Sequence, residues 1–137
     1  MSVTVRTKDL GAFEEATGWD GYLNADDAEE GEQFVQINID EVNYGGDDEL
    51  EAAAKAGIPF YGYHSAGGCY GAMLFAALGG KTLWQDCDSD GYPTVRFDLD
   101  TGGSERADMC GLKKFVEFYK AAKAAVERKE LPNGDSV

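Results

Sequence analysis

The stretch Asp86–Pro93, DCDSDGYP, places three aspartates at alternate positions before a glycine, which is how a calcium-binding loop begins. Such a loop needs a bidentate glutamate at its twelfth position, but Phe97 stands there in this chain. The flanking segments TLWQ and TVRF are strand-like, whereas calcium loops of this kind lie between helices. Asp, Ser, Gly and Pro are also the residues of hairpin loops. We therefore predict a turn and no metal ligands, with weak calcium binding by Asp86, Asp88 and Asp90 as the alternative.

The only histidine, His64, raises the question of a catalytic nucleophile, because Ser65 follows it and Cys69 lies close in sequence. A nucleophile elbow needs glycine two residues before the serine, but Tyr63 is there, and no second histidine can supply a base. A neighbouring imidazolium can lower the pKa of a thiol, yet nothing indicates an orienting acid or an anion hole beside Cys69. No nucleotide-binding glycine motif is present either. We predict no catalytic residues and no cofactor, and an enzyme using His64 and Cys69 is one alternative.

The charge distribution is the strongest functional signal in the sequence. The chain has 26 acidic and 12 basic residues, for a net charge of −14. All fifteen charged residues from Asp9 to Glu51 are acidic, and Lys8 and Lys55 bracket this window. The only basic cluster lies in the last predicted helix, so direct nucleic-acid binding is disfavoured.

The hydrophobic patterns predict an α+β fold with a mostly antiparallel sheet of about five to six strands. Residues 2–6 and 34–42 alternate as strands, and residues 9–17 form a possible short helix. Asp48 and Glu51 have the spacing of a capping box for a short helix at 49–56. Segment 60–99 reads as a meander of four strands, and 106–129 as a long amphipathic helix packed on one face of the sheet.

Within the meander, the segment 70–78 is ambiguous between strand and helix. Its alanine, methionine and leucine content favours a helix, whereas Gly79 and Gly80 suit a tight hairpin to TLWQ. We choose the strand.

Length and composition predict one acidic globular domain over 1–137, with 130–137 as a flexible tail. The three cysteines are far apart, and neither a signal peptide nor a membrane-spanning run is apparent, which favours a cytoplasmic protein without disulfides. The sequence does not indicate the oligomeric state.

The acidic window predicts a binding surface for a basic partner, because complementary charge steers association and sets specificity. A groove shaped for phosphates is a common basic surface, so we predict a nucleic-acid-binding protein as partner and inhibition of DNA-mimic type, as in counter-defence against restriction or CRISPR systems. The predicted contact residues lie on a loop, a strand end and a helix start: Asp26, Asp27, Glu29, Glu30, Glu32, Asp40, Glu41, Asp47, Asp48, Glu49 and Glu51.

A second alternative is a module that binds a small molecule or peptide through aromatic residues of the meander. The residues in question are Tyr61, Tyr63, His64, Tyr70 and Trp84.

Overall fold

A five-stranded antiparallel sheet with helices on both faces makes up the described part of the protein, in strand order β2-β1-β3-β4-β5. The computed structural model describes residues 1–19, 33–39, 46–66, 71–95, 100 and 109–127. The strands are β1 (Ser2–Arg6), β2 (Phe34–Asn38), β3 (Phe60–His64), β4 (Met73–Leu78) and β5 (Lys81–Asp86). The helices are a 3-10 turn (Thr7–Asp9), α1 (Leu10–Thr17), α2 (Asp47–Lys55) and α3 (Met109–Glu127). The predicted α+β fold with an antiparallel sheet is confirmed.

Alternation along the strands divides the core into two layers, because successive side chains point to opposite faces of a sheet. The first face, called the α2 face here, packs on α1 and α2 and forms the larger core. Its main members are Val3, Val5, Val35, Ile37, Phe60 and Phe75 from the sheet, with Phe13 and Leu50 from the helices.

The opposite face, called the α3 face, packs against the C-terminal helix. Leu74 and Cys87 are buried there with Phe115, and Tyr63, Leu83 and Tyr119 close around them. Ala122 and Val126 continue the buried stripe of the helix. Helix α3 therefore lies where the sequence predicts it, while α1 and α2 cover the sheet from the other side.

The ambiguous segment is a strand, as predicted. β4 pairs with β3 on one side and β5 on the other, and Leu74–Ala77 are buried. Burial on both faces outweighs the helical propensity of these residues. Gly79 and Gly80 have φ of 62° and 81°, as a two-residue hairpin with both central residues left-handed requires.

The fourth predicted strand of the meander begins beside β5. Thr94 N–H donates to the carbonyl oxygen of Asp86 at 2.9 Å, and Pro93 forms an isolated bridge with Cys87. Residues 96–99 lie outside the described part of the chain, as does the predicted tail, 130–137.

The predicted capping box is wrong. Helix α2 begins at Asp47, one residue before the expected cap Asp48, and no side chain caps it. The cap position is Gly46 in the left-handed conformation, with φ of 70°. A glycine adopts this conformation without steric cost, so the backbone enters the helix before the aspartate can serve as cap.

None of the helices in the described ranges combines the length and apolar character that crossing a bilayer requires.

Candidate acidic binding surface

Helix α2 presents four carboxylates on its exposed side, and we call Asp47, Asp48, Glu49 and Glu51 the α2 acidic turn. Three of them lie in the first turn of the helix, where negative charge interacts favourably with the helix dipole. Asp47, Asp48 and Glu51 are exposed, and Glu49 is half-buried. The opposite side of the helix is buried through Leu50, Ala53 and Ala54. The carboxylates therefore stand on a helix that the core fixes in place.

The pKa of Asp47, the first residue of the α2 acidic turn, is raised by burial and by the neighbouring carboxylates. Partial burial raises the pKa of Asp47, His64 lowers it, and the charges of Asp48, Glu49 and Glu51 raise it further. The net direction is upward. One basic neighbour contributes little relief, because Lys55 Nζ lies 4.0 Å from Glu51 Oε1 and both side chains are largely exposed. The turn thus keeps an unbalanced negative charge.

His64 is the last residue of β3, and it is only 5% exposed. Its ring centroid is 6.0 Å from that of Trp84, and its Nδ1 lies 3.2 Å from the carbonyl oxygen of Ser65. The charge of His64 lowers the pKa of Asp47, an electrostatic coupling that the sequence alone did not indicate. No local pattern could have indicated it, because the coupling joins a helix start to a strand end.

The structure supplies no geometry for the predicted catalytic alternative. Cys69 lies outside the described residues, so its distance to His64 is not defined. The Ser65 side chain is exposed.

The aromatic residues of the meander that the structure describes do not form one cluster. Tyr61 and Tyr63 belong to the α3 face, where the Tyr61 ring packs edge-on against Tyr119 at 5.5 Å. His64 and Trp84 belong to the α2 face, and the Trp84 ring lies 5.1 Å from Phe75. Tyr70 lies outside the described residues. The sheet itself therefore separates the aromatics that an aromatic pocket would have to combine.

The stretch Asp86–Pro93 is a hairpin turn, as predicted. Gly91 N–H donates to the Asp88 carbonyl oxygen at 3.1 Å, and Gly91 has φ of 83°. Asp88 Oδ1 accepts the N–H groups of Asp90 and Tyr92 at 3.0 and 2.9 Å. A carboxylate that holds its own turn in this way explains the aspartate without a metal. Among the described residues, no group of three or more His, Cys, Asp or Glu is arranged to hold a metal ion.

This turn lies at the same end of the sheet as the α2 acidic turn. Strand register aligns His64 with Met73, and Met73 with Asp86. The Ala54 carbonyl oxygen, near the end of α2, lies 3.9 Å from the position that a Cβ on Gly80 would occupy, so α2 ends at the β4–β5 hairpin and begins toward the opposite end. Asp86 and the following turn therefore extend the acidic character of that end.

The basic residues of α3 lie on the other side of the sheet. Lys113, Lys114, Lys120 and Lys123 are all exposed on that helix. The Lys123 Nζ lies 5.8 Å from the centroid of the Tyr61 ring, and the Tyr61 hydroxyl donates to Glu127 Oε1 at 2.6 Å. The sheet thus separates an acidic helix from a basic one.

Of the eleven predicted contact residues, the structure describes the four of the α2 acidic turn. The other seven lie outside the described residues: Asp26, Asp27, Glu29, Glu30, Glu32, Asp40 and Glu41.

No family model, curated protein or solved structure matches this chain.

Proposed function

We propose that this protein is a non-enzymatic acidic binding protein that engages a basic, nucleic-acid-binding partner and blocks its nucleic-acid site, in the manner of a DNA mimic. Inhibition of a restriction or CRISPR-type defence enzyme is the form of activity that we expect. The observation that carries this proposal is the α2 acidic turn, in which three of the four acidic residues are exposed and Glu49 is half-buried. Leu50, Ala53 and Ala54 anchor the helix from its buried side.

Anchoring matters because a phosphate-binding groove selects charges at defined positions. Carboxylates on a helix with a buried opposite face lose little further freedom on binding, so less of the interaction energy is spent on ordering them. The acidic window from Asp9 to Glu51 adds a long-range attraction that steers a basic surface toward the protein.

The test is capture of partners from a cell lysate by the immobilised full chain, at low and at high ionic strength, with duplex DNA as competitor. We expect a basic nucleic-acid-binding protein to be retained at low salt, released at high salt and displaced by the duplex. Salt is informative because it shortens the range of charge interactions to about 8 Å at physiological ionic strength.

A charge-neutralised variant localises the contact. In the quadruple variant Asp47→Asn, Asp48→Asn, Glu49→Gln and Glu51→Gln, loss of about 0.5 kcal/mol for each exposed pair weakens binding by roughly 30-fold. The matched control removes four charges outside the acidic window and outside the Asp86–Pro93 turn: Asp108→Asn, Glu117→Gln, Glu130→Gln and Asp135→Asn. Equal retention of the partner by these two variants, or no basic protein captured at low salt, refutes the proposal.

A further inference from the structure

β2 is the first strand in the sheet order β2-β1-β3-β4-β5, so one of its edges faces away from β1. We call this the outer edge of β2. Hydrogen bonds at both ends of the β1–β2 pair fix which backbone groups face that edge. Met1 and Ile39 exchange bonds of 3.0 and 2.8 Å, and Thr7 N–H donates to the Gln33 carbonyl oxygen at 3.0 Å.

In an antiparallel pair, bonded and non-bonded residue pairs alternate. Val35 and Ile37 therefore bond to β1, and the N–H and C=O groups of Phe34, Gln36 and Asn38 point away from it. Within the described part of the chain, no strand pairs with this edge. β2 thus presents a row of backbone donors and acceptors.

The side chains of β2 do not protect this edge. Phe34, Gln36 and Asn38 are exposed, and the exposed fraction of Phe34 is 37%. Proteins commonly protect an edge strand with lysine, proline or a bulge. The seven residues Gln33–Ile39, QFVQINI, contain no charge, proline or glycine. An unprotected edge of this composition accepts another strand readily.

The negative charge of the chain indicates which kind of strand can pair with this edge. In the sequence, eight acidic residues and no basic residue stand on either side of β2 between positions 20 and 41: Asp20, Asp26, Asp27, Glu29, Glu30, Glu32, Asp40 and Glu41. Pairing of two copies through β2 would bring together two chains that each carry a net charge of −14, and like charges oppose that association. A basic strand, in contrast, is attracted by this negative charge.

We propose that the outer edge of β2 binds an extended basic segment of a partner protein by antiparallel or parallel strand addition. Backbone groups of Phe34, Gln36 and Asn38 supply the hydrogen bonds, and the net charge of −14 favours lysine and arginine on the added strand. Apolar residues of that strand continue the row formed by Val35 and Ile37. This inference rests on the proposed function, since it specifies how the basic partner is held.

The test uses the full chain and three synthetic heptapeptides. The first alternates lysine and valine, the second is the same peptide with the central valine and the next lysine N-methylated on the backbone, and the third alternates glutamate and valine. The first two carry the same charge, but methylation of two adjacent backbone N–H groups removes one donor toward β2 in either strand orientation and disfavours strand pairing. We expect fluorescence anisotropy to show binding of the first peptide at low salt and at least tenfold weaker binding of the other two.

Hydrogen exchange identifies the edge directly. The amides of Phe34, Gln36 and Asn38 should exchange quickly in the free protein, and at least tenfold more slowly with the first peptide bound. The amides of Val35 and Ile37 should be protected in both states, because β1 already accepts their hydrogen bonds.

A matched pair of variants tests the protein side. Gln36→Pro removes an outward N–H and should weaken binding of the first peptide at least tenfold. Gln36→Thr keeps the N–H and should bind that peptide with the same affinity as the unmodified chain. Proline at an outward position of an edge strand is tolerated, and circular dichroism checks that the variant is folded. If it is not, the peptide comparison stands alone.

The possible results separate this inference from the proposed function. Equal binding of the two basic peptides overturns strand addition and leaves an acidic surface that binds basic partners. Equal binding of the glutamate peptide overturns the basic character of the added strand. Self-association in sedimentation that Gln36→Pro abolishes shows a second copy on the edge and overturns the inference as well. Absence of binding by any peptide overturns it too, and lysate capture judges the proposed function independently.

Discussion

Replacement of Gly62 by alanine should remove a large part of the stability of this protein. Gly62 lies in the middle of β3, opposite Val3 of β1 and Phe75 of β4. A Cβ atom at this position would overlap the backbone carbonyl oxygen of Ser2. It would also lie 2.6 Å from Cζ of Phe75, where carbon atoms normally approach to about 3.5 Å.

Neither neighbour has room to move. Ser2 belongs to β1, which is paired on both sides. The ring of Phe75 is fully buried, and it packs at 6.1 Å from Phe60 and 5.1 Å from Trp84. Overpacking in such a site costs about 3 kcal/mol, the upper end of the usual range. That corresponds to a decrease in Tm of about 10 °C for a chain of this size.

The assay is urea and thermal unfolding followed by circular dichroism, with Gly11→Ala as the matched control. Gly11 lies in α1, and apart from its chain neighbours and the nearby backbone of its own helix, no atom of the described residues lies within 4 Å of the position its Cβ would occupy. The same substitution there should stabilise the protein by about 0.5 kcal/mol, because alanine has the higher helix propensity. A Gly62→Ala variant whose free energy of unfolding lies within about 0.5 kcal/mol of the unmodified chain refutes this account of the core.

Two further predictions concern the hairpin turn and its neighbour. Asp88→Ala should lower the free energy of unfolding by about 1 kcal/mol, because Oδ1 accepts two backbone N–H groups, whereas Asp88→Asn keeps that acceptor and should cost less than half as much. Urea unfolding measures the free energy of unfolding of both variants. An equal decrease in the two variants would contradict the role assigned to Asp88 Oδ1. Burial raises the pKa of the Cys87 thiol, and the charges of Asp88 and Asp86 raise it further. Because the thiolate is the reactive form, we expect iodoacetamide at pH 8 to modify Cys87 at least tenfold more slowly in the folded than in the urea-unfolded chain, measured by peptide mass spectrometry. Equal rates would contradict it.

Patterns confined to one segment allowed much of the fold to be predicted. Alternating side chains in β2 predicted one buried and one exposed face, and the structure has that pattern. The amphipathic pattern of 106–129 predicted a helix packed on one face of the sheet, and α3 buries Phe115, Ala122 and Val126 there. The turn residues around Gly91 predicted the hairpin, because local backbone geometry alone requires them. Each of these features depends on neighbours only a few residues away.

Prediction from sequence was weaker where two local signals favour different structures, or where the result depends on contacts between distant segments. The capping-box spacing at Asp48 and Glu51 was misleading, since Gly46 had already started the helix. The β4 segment could have been a helix, and pairing with β3 and β5 made it a strand. The aromatics of the meander are close in sequence, but alternation places Tyr61 and Trp84 on opposite faces.

By itself, the sequence determined the net charge of −14, the acidic window and the uncharged run that became β2. These are properties of composition and order that no fold can alter. Only the tertiary structure decided that the α2 acidic turn and the lysines of α3 lie on opposite faces of the sheet, and that β2 is an edge strand. The physical reason is that strand order and helix placement follow from how distant segments bury apolar surface against one another.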